Sequence, residues 1–197
     1  MVLKLTKLKI RKDNFRPTCI HRHSRTPRCA CSFYFDGSLQ EVTMELATKR
    51  CLIRNMKPED VHDLYQVLSD EAVMKYIEPA FDTEKTKNFI HSAGLCDPPL
   101  VYAIVWKATG TVIGHAIFHV YEQSDYELGW VLHRDYWGMG IAGEVTEVLL
   151  GYAKHLGAMS CVIECDTQQA VSKRIAISNG FIHEGTFENL ERYRLEL

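Results

Sequence analysis

The ten residues DYWGMGIAGE, Asp135 to Glu144, constrain this chain more than any other stretch. Three glycines, Gly138, Gly140 and Gly143, stand between a strand-like run, YELGWVL, and a helix-like run that begins at Ile141. Glycine at a strand-to-helix junction lets backbone amides close on a phosphate, because no Cβ blocks the approach and the helix N-terminus offers unpaired N–H donors. The literal spacing is G-x-G-x-x-G, the dinucleotide fingerprint, and Glu164 lies about 20 residues further on, where a ribose-binding acid belongs. The context opposes that reading. A dinucleotide loop is a tight turn directly after a strand that opens a β-α-β series. Here His133 to Trp137 separate the strand from the first glycine, and antiparallel-looking strands precede it. No Gly-Lys-Ser/Thr follows, so a nucleoside-triphosphate loop fails as well.

The flanking segments carry clear periodicities. TKRCLIRNM reads as a short strand. KPEDVHDLYQVLSD reads as a helix: Pro58 sits in its first turn, Glu59 and Asp60 suit its positive end, and Val61, Leu64, Tyr65 and Leu68 form one face. EAVMKYIE and TEKTKNFIHSAG read as two further short helices. VYAIVW and VIGHAIFHV flank a hairpin turn at Gly110, and YELGWVL follows. Gly129 within that last run suggests a bulge or local bend. The helix from Ile141 to Leu156 places Ile141, Val145, Val148, Leu149 and Tyr152 on one face and stops at Gly157. SCVIEC is a buried strand in which Cys161 and Cys165 share a core face. TQQAVSKRIAISNG is a helix capped by Asp166 or Thr167, and FIHEGTFE and ERYRLEL are closing strands.

Residues 1–43 hold nine Lys and Arg against three Asp and Glu, whereas the remainder holds fourteen against twenty-two. The first segment has no sustained period and reads as a poorly ordered basic extension to a domain spanning residues 44–197. Its Cys19, His21, His23, Cys29 and Cys31 do not match the usual C-x₂₋₄-C pairing of a zinc site. The acidic domain disfavours nucleic acid, which requires a basic footprint. Seven cysteines, an odd number without a framework, fit a reduced cytoplasmic protein. No run is apolar enough for a membrane span. His115 and His119 share a strand face but lack a third ligand, so they read as hairpin-packed or exposed histidines rather than metal ligands.

The order β-α-α-β-β-β-loop-α-β-α-β-β, with ELGWVLHRDYWGMGIAGE at its centre and SKRIAISNGF later, resembles the GCN5-related N-acetyltransferase (GNAT) superfamily. The branch it most resembles contains the ribosomal-protein N-terminal acetyltransferases. The family loop Q/R-x-x-G-x-G/A becomes Trp137-Gly138-Met139-Gly140-Ile141-Ala142, with tryptophan at the first position. The later motif has Gln169 for asparagine, Ser172 matching, and Gly180-Phe181 at its end. The resemblance covers about residues 46–197. It implies an α/β (α+β) fold with a mixed, mostly antiparallel sheet of six to seven strands flanked by helices. It also implies acetyl-CoA as cosubstrate, no metal, and a monomer or homodimer.

The resemblance assigns roles to particular residues. The amides of Trp137, Gly138, Met139, Gly140, Ile141, Ala142 and Gly143 would hold the pyrophosphate, and Trp130, Val131 and Leu132 would pair with the pantetheine arm, an amide near Val131 polarising the thioester. Gln169 and Ser172 would complete the coenzyme site. Acetyl transfer needs a base for the amine and a proton for the departing thiolate. Glu127 is the candidate base and Ser172 the candidate acid, because Ala176 stands where many relatives carry a tyrosine. Tyr76, Glu78, Phe81 and the turn at Glu188–Asn189 would line the acceptor pocket. The acceptor is a primary amine, on a protein N-terminus or a small molecule. A catalytically silent acetyl-CoA-binding module is the alternative from another class.

Overall fold

The computed structural model describes residues 44–197. The basic extension and its zinc candidates therefore lie outside the described residues. The domain is one mixed sheet of eight strands: β1 (Glu45–Ala47), β2 (Cys51–Arg54), β3 (Val101–Trp106), β4 (Val112–Val120), β5 (Asp125–Leu132), β6 (Ser160–Asp166), β7 (Ile182–Phe187) and β8 (Leu190–Glu196). Their spatial order is β1-β2-β3-β4-β5-β6-β8-β7. Every neighbouring pair is antiparallel except β5 and β6. Eight strands exceed the six to seven expected. TKRCLIRNM forms the single short strand β2, and an additional strand precedes it: Thr48 turns the chain back, its Oγ1 accepting from the Cys51 amide at 2.8 Å, and β1 pairs with β2 across that turn.

Helices cover both faces. α1 (Val61–Leu68), α2 (Glu71–Met74) and α3 (Thr83–Phe89) lie between β2 and β3, α4 (Ile141–His155) between β5 and β6, and α5 (Ala170–Ser178) between β6 and β7. Side chains alternate across a strand, so each strand feeds two cores. On one face Ile104, Phe118, Leu128, Trp130 and Leu132 pack with Ile141, Val145 and Leu149 of α4 and with Ala176 of α5. Cys161 and Cys165 lie in this core, both fully buried. On the other face Val101, Ala103, Ile117 and Val131 pack with Leu64, Leu68, Phe81 and Phe89 from the early helices.

Two boundaries differ from the sequence reading for local reasons. α3 loosens into a π-helical turn over Ile90–Gly94, where the Leu95 amide reaches back to the Ile90 carbonyl at 2.9 Å. α5 begins at Ala170, after an Asx turn in which Asp166 accepts from the Gln168 amide at 2.8 Å, so the Asp166 side chain caps a turn and Gln169 takes the N-cap position. Gly129 makes no bulge, and the β4–β5 register runs unbroken across it, with Ile117 opposite. The position that demands glycine is Gly114 on β4, where a Cβ would stand 2.0 Å from the Val131 carbonyl oxygen.

Candidate active site

β5 and β6 are paired only at Asp125–Ser160, Tyr126–Cys161 and Glu127–Val162. Beyond that point they separate. Because the two strands are parallel, α4 and α5 both start at the carboxyl end of the opening, and their N-termini face it. Ligands of open α/β sheets bind in such a crevice. The odd-numbered residues of β5 bond toward β4, since the His133 amide donates to the Ile113 carbonyl at 2.8 Å and antiparallel pairing repeats every second residue. Val131, opposite His115, therefore directs its backbone groups toward β4. The backbone groups of Trp130 and Leu132 fall in the opposite phase, toward the opening. Of the three residues expected to meet an acyl-carrier arm, Trp130 and Leu132 present backbone to the opening and Val131 does not.

The glycine loop closes the other end of the crevice. Gly138 and Gly140 adopt left-handed φ angles of 71° and 78°, which cost an L-residue strain. A Cβ on Gly138 or Gly143 would meet nothing within 4 Å, so the space beside the backbone is open. Gly140 is the N-cap of α4, and the orphan amides of that helix end point outward with the positive end of its dipole. Trp137 and Met139 are exposed, whereas Ile141 and Ala142 are buried in the core and anchor the loop. The Trp137 indole donates to the Leu132 carbonyl at 2.9 Å, which ties the loop to the end of β5.

A residue that the sequence reading passed over holds this loop. Arg50, in the β1–β2 turn, donates through Nε to Glu144 at 2.9 Å and through Nη2 to the Met139 carbonyl. Thr48 donates to the other Glu144 oxygen at 3.0 Å. Partial burial pushes the Glu144 carboxyl up, but the hydrogen bonds from Arg50 and Thr48 outweigh it and hold it low. The loop is thus braced through a sequence separation that no local pattern reveals.

Glu127 marks the apex of the opening. It is 2% exposed, and strand alternation turns it away from α4, onto the face shared by Val131 and the early helices. Burial pushes its carboxyl up to about 8, with Glu164 nearby adding to the rise and Arg192 opposing it. His119, its partner across β4 and β5, sets Nε2 3.5 Å from Glu127 Oε2. Both histidines are more enclosed than expected. His115 is fully buried against the Phe89 ring, with centroids 5.1 Å apart, and burial lowers it to about 3. Neither joins a metal cluster: among the described residues no group of three or more His, Cys, Asp or Glu is disposed to hold an ion.

Beyond the apex lies a second ionic group. Glu164 on β6 accepts from Tyr121 at 3.0 Å and from Arg192 of β8 at 2.8 Å. The Arg192 guanidinium in turn sits over the Phe187 ring at 4.2 Å. Glu164 thus has an arginine and a tyrosine for partners within the sheet, in place of a ribose. The two segments expected to line an acceptor pocket, residues 74–85 and the turn at Glu188–Asn189, both adjoin the core on this face. Tyr76 is half-buried and packs on the same core as Leu190, which follows the left-handed turn at Glu188 and Asn189. Glu78 is paired with Lys85 at 2.7 Å. Phe81 is 4% exposed and packs edge-on against Phe89, so it supports this segment from within the core. On the other side of the opening, Ser172 is 8% exposed in the first turn of α5, one helical turn beyond Gln169.

A split parallel pair, a glycine loop at a helix N-terminus and a buried carboxylic acid at the apex define an acyltransferase of the GNAT type. Residues 50–182 match the acetyltransferase (GNAT) domain family, and the chain belongs to it. Among curated proteins it is 31% identical over 148 residues to the uncharacterized N-acetyltransferase YnaD of Bacillus subtilis, covering 74% of this chain and 86% of that protein. A GNAT-family acetyltransferase from Bacillus anthracis shares the fold with a TM-score of 0.71 at 27% identity, over 78% of this chain and 98% of that one. The ribosomal L7/L12 α-N-protein acetyltransferase RimL, in complex with coenzyme A, superposes with a TM-score of 0.69 over 78% of this chain and 98% of its own. At 18% identity that last likeness concerns the fold alone.

Proposed function

We infer that this protein is an N-acetyltransferase that moves an acetyl group from acetyl-CoA directly to a primary amine. One observation carries the reading. The split between β5 and β6 joins the glycine loop on the α4 face to Glu127 on the opposite face, so a donor and an acceptor approaching from opposite sides meet at Glu127. The loop fits a pyrophosphate, because Gly138 and Gly143 leave open the space that a Cβ would fill. The backbone groups of Trp130 and Leu132 suit the pantetheine arm, and an amide of that phase would polarise the thioester carbonyl. Acetyl-CoA supplies the activated acyl group.

The remaining chemistry belongs to the chain. A protein α-amine titrates near 8, close to the value of Glu127, so proton transfer between them is nearly balanced. The amine nitrogen bonds to the acyl carbon, its proton passes to Glu127, the C–S bond breaks, and Ser172 or water protonates the departing thiolate. Tyr76, Glu78 and the Glu188–Asn189 turn face the acceptor. A coupled thiol-release assay with a panel of N-terminal peptides and small amines tests the reading. Release that depends on both acetyl-CoA and an amine is the expected result. Tight acetyl-CoA binding without release for any amine would overturn it in favour of a silent binding module.

A further inference from the structure

The functional reading leaves a difficulty at its centre. Glu127 is assigned the part of a base, yet in a nearly dry site at neutral pH it holds its own proton. The geometry around it suggests how both hold. His119 Nδ1 lies 3.0 Å from the Val120 carbonyl oxygen. A carbonyl only accepts, so Nδ1 carries the hydrogen, and in a neutral ring Nε2 is left as a bare acceptor. That acceptor faces Glu127 Oε2 at 3.5 Å. Neither His119 Nε2 nor the other Glu127 oxygen, Oε1, has a hydrogen-bond partner, and both atoms are buried. His119 keeps 14% of its side chain exposed against 2% for Glu127, so it is the wetter end of the pair.

We propose that His119 and Glu127 form a two-step proton relay, in which Glu127 Oε1 takes the proton of the attacking amine as Glu127 Oε2 passes its own to His119 Nε2. The proposal rests on the acetyltransferase reading of this site. The balance is complete: the amine nitrogen loses one proton, Glu127 stays neutral throughout, His119 gains one proton, and the pair discharges it to solvent through the imidazole. His119 is a positioning residue that acts through Glu127. The other groups set against the pair are Tyr121 at the end of β4, Glu164 on β6 and Arg192 on β8. Glu164 and Arg192 are already bound to each other and bring no net charge of their own. Burial lowers the imidazole, which keeps His119 neutral and ready to accept at rest.

His119→Gln tests the relay, since glutamine keeps a polar group beside Glu127 but cannot carry a proton onward. With an amine found by the release assay, the amine's own titration acts on both proteins alike, so the ratio of wild-type to variant kcat at each pH is the reading. The variant must wait for an ionised Glu127, so its kcat should lie about 30-fold below the wild type at pH 6.5, the gap closing about tenfold per pH unit until Glu127 titrates. Acetyl-CoA affinity and the circular dichroism spectrum should match the wild type, which separates lost relay from lost structure. A variant whose pH profile parallels that of the wild type overturns the proposal. An independent reading uses ¹⁵N NMR of the imidazole in the free protein. The Nδ1–H tautomer is expected, and an Nε2–H tautomer overturns the relay. A wild-type protein that acetylates no amine sinks the functional reading instead, and the tautomer then decides the hydrogen bond by itself.

Discussion

Replacing Glu127 with glutamine should change how stability responds to pH, and the size of the change follows from the burial of one carboxyl. In the folded protein Glu127 titrates at about 8, against 4.5 when solvated. Between those values the native state holds a proton that the unfolded state has lost, so unfolding becomes easier as pH rises. A raised acid gives stability that is fully present below the unfolded value and lost as pH climbs through the folded one. The slope is about −1.4 kcal/mol per pH unit, so from pH 5.5 to 7.5 the wild type should lose about 3 kcal/mol from this group. Glutamine has nothing to titrate and keeps the size and polarity of the side chain beside His119. The lowered His115 acts with the opposite sign, because it favours the folded state as pH rises, but both proteins share it and it cancels in the difference. Urea unfolding of both proteins at pH 5.5, 6.5, 7.5 and 8.5 gives that difference directly. The variant should gain on the wild type across the first three points and level off above pH 8. A constant difference would mean that Glu127 ionises as an ordinary surface acid, and its assignment as a buried base would fall.

Other perturbations separate the loop from the chemistry. Gly140→Val forces a branched residue to φ 78° and into the open loop, so acetyl-CoA affinity measured by calorimetry should drop at least tenfold; unchanged affinity would show that GMGIAG is not the pyrophosphate loop. Arg50→Ala frees the Met139 carbonyl and leaves Glu144 without its main partner, so acetyl-CoA should bind several-fold more weakly while the unfolding free energy from urea titration falls by less than about 1 kcal/mol, as for a part-exposed ion pair. Equal binding in this variant would show that the brace is ornamental. Ser172→Ala should lower kcat by roughly 10²–10⁴-fold with coenzyme affinity nearly unchanged; turnover at the wild-type rate would remove Ser172 from the reaction.

Much of the fold was legible because its signals are local. Apolar runs set apart by the Gly110 turn and the polar break at Gln123–Asp125 gave β3, β4 and β5, the 3.6-residue stripe from Ile141 gave α4, and the glycines at 138 and 140 marked the loop between them, where both take left-handed φ angles. The glycine loop, Glu127 and Ser172 could be named for the same reason: each lies in a short motif whose spacing reports its neighbours. Other features depend on segments far apart in the chain. Arg50 reaches Met139 and Glu144 across roughly 90 positions, so no window of sequence contains the brace. His119 and Glu164 were visible only in other guises, as half of a weak metal pair and as a ribose-binding acid. The register of β4 on β5 gave the first its carboxylic partner, and the pairing of β6 with β8 gave the second its arginine. The proton affinity of Glu127 was likewise out of reach, since burial sets it, and burial is a sum over every element packed around one side chain. Sequence determined which groups the chain carries and on which strand face each falls, because those follow from bonding between near neighbours. Tertiary structure alone decided which groups lose their water and which partner they find in exchange.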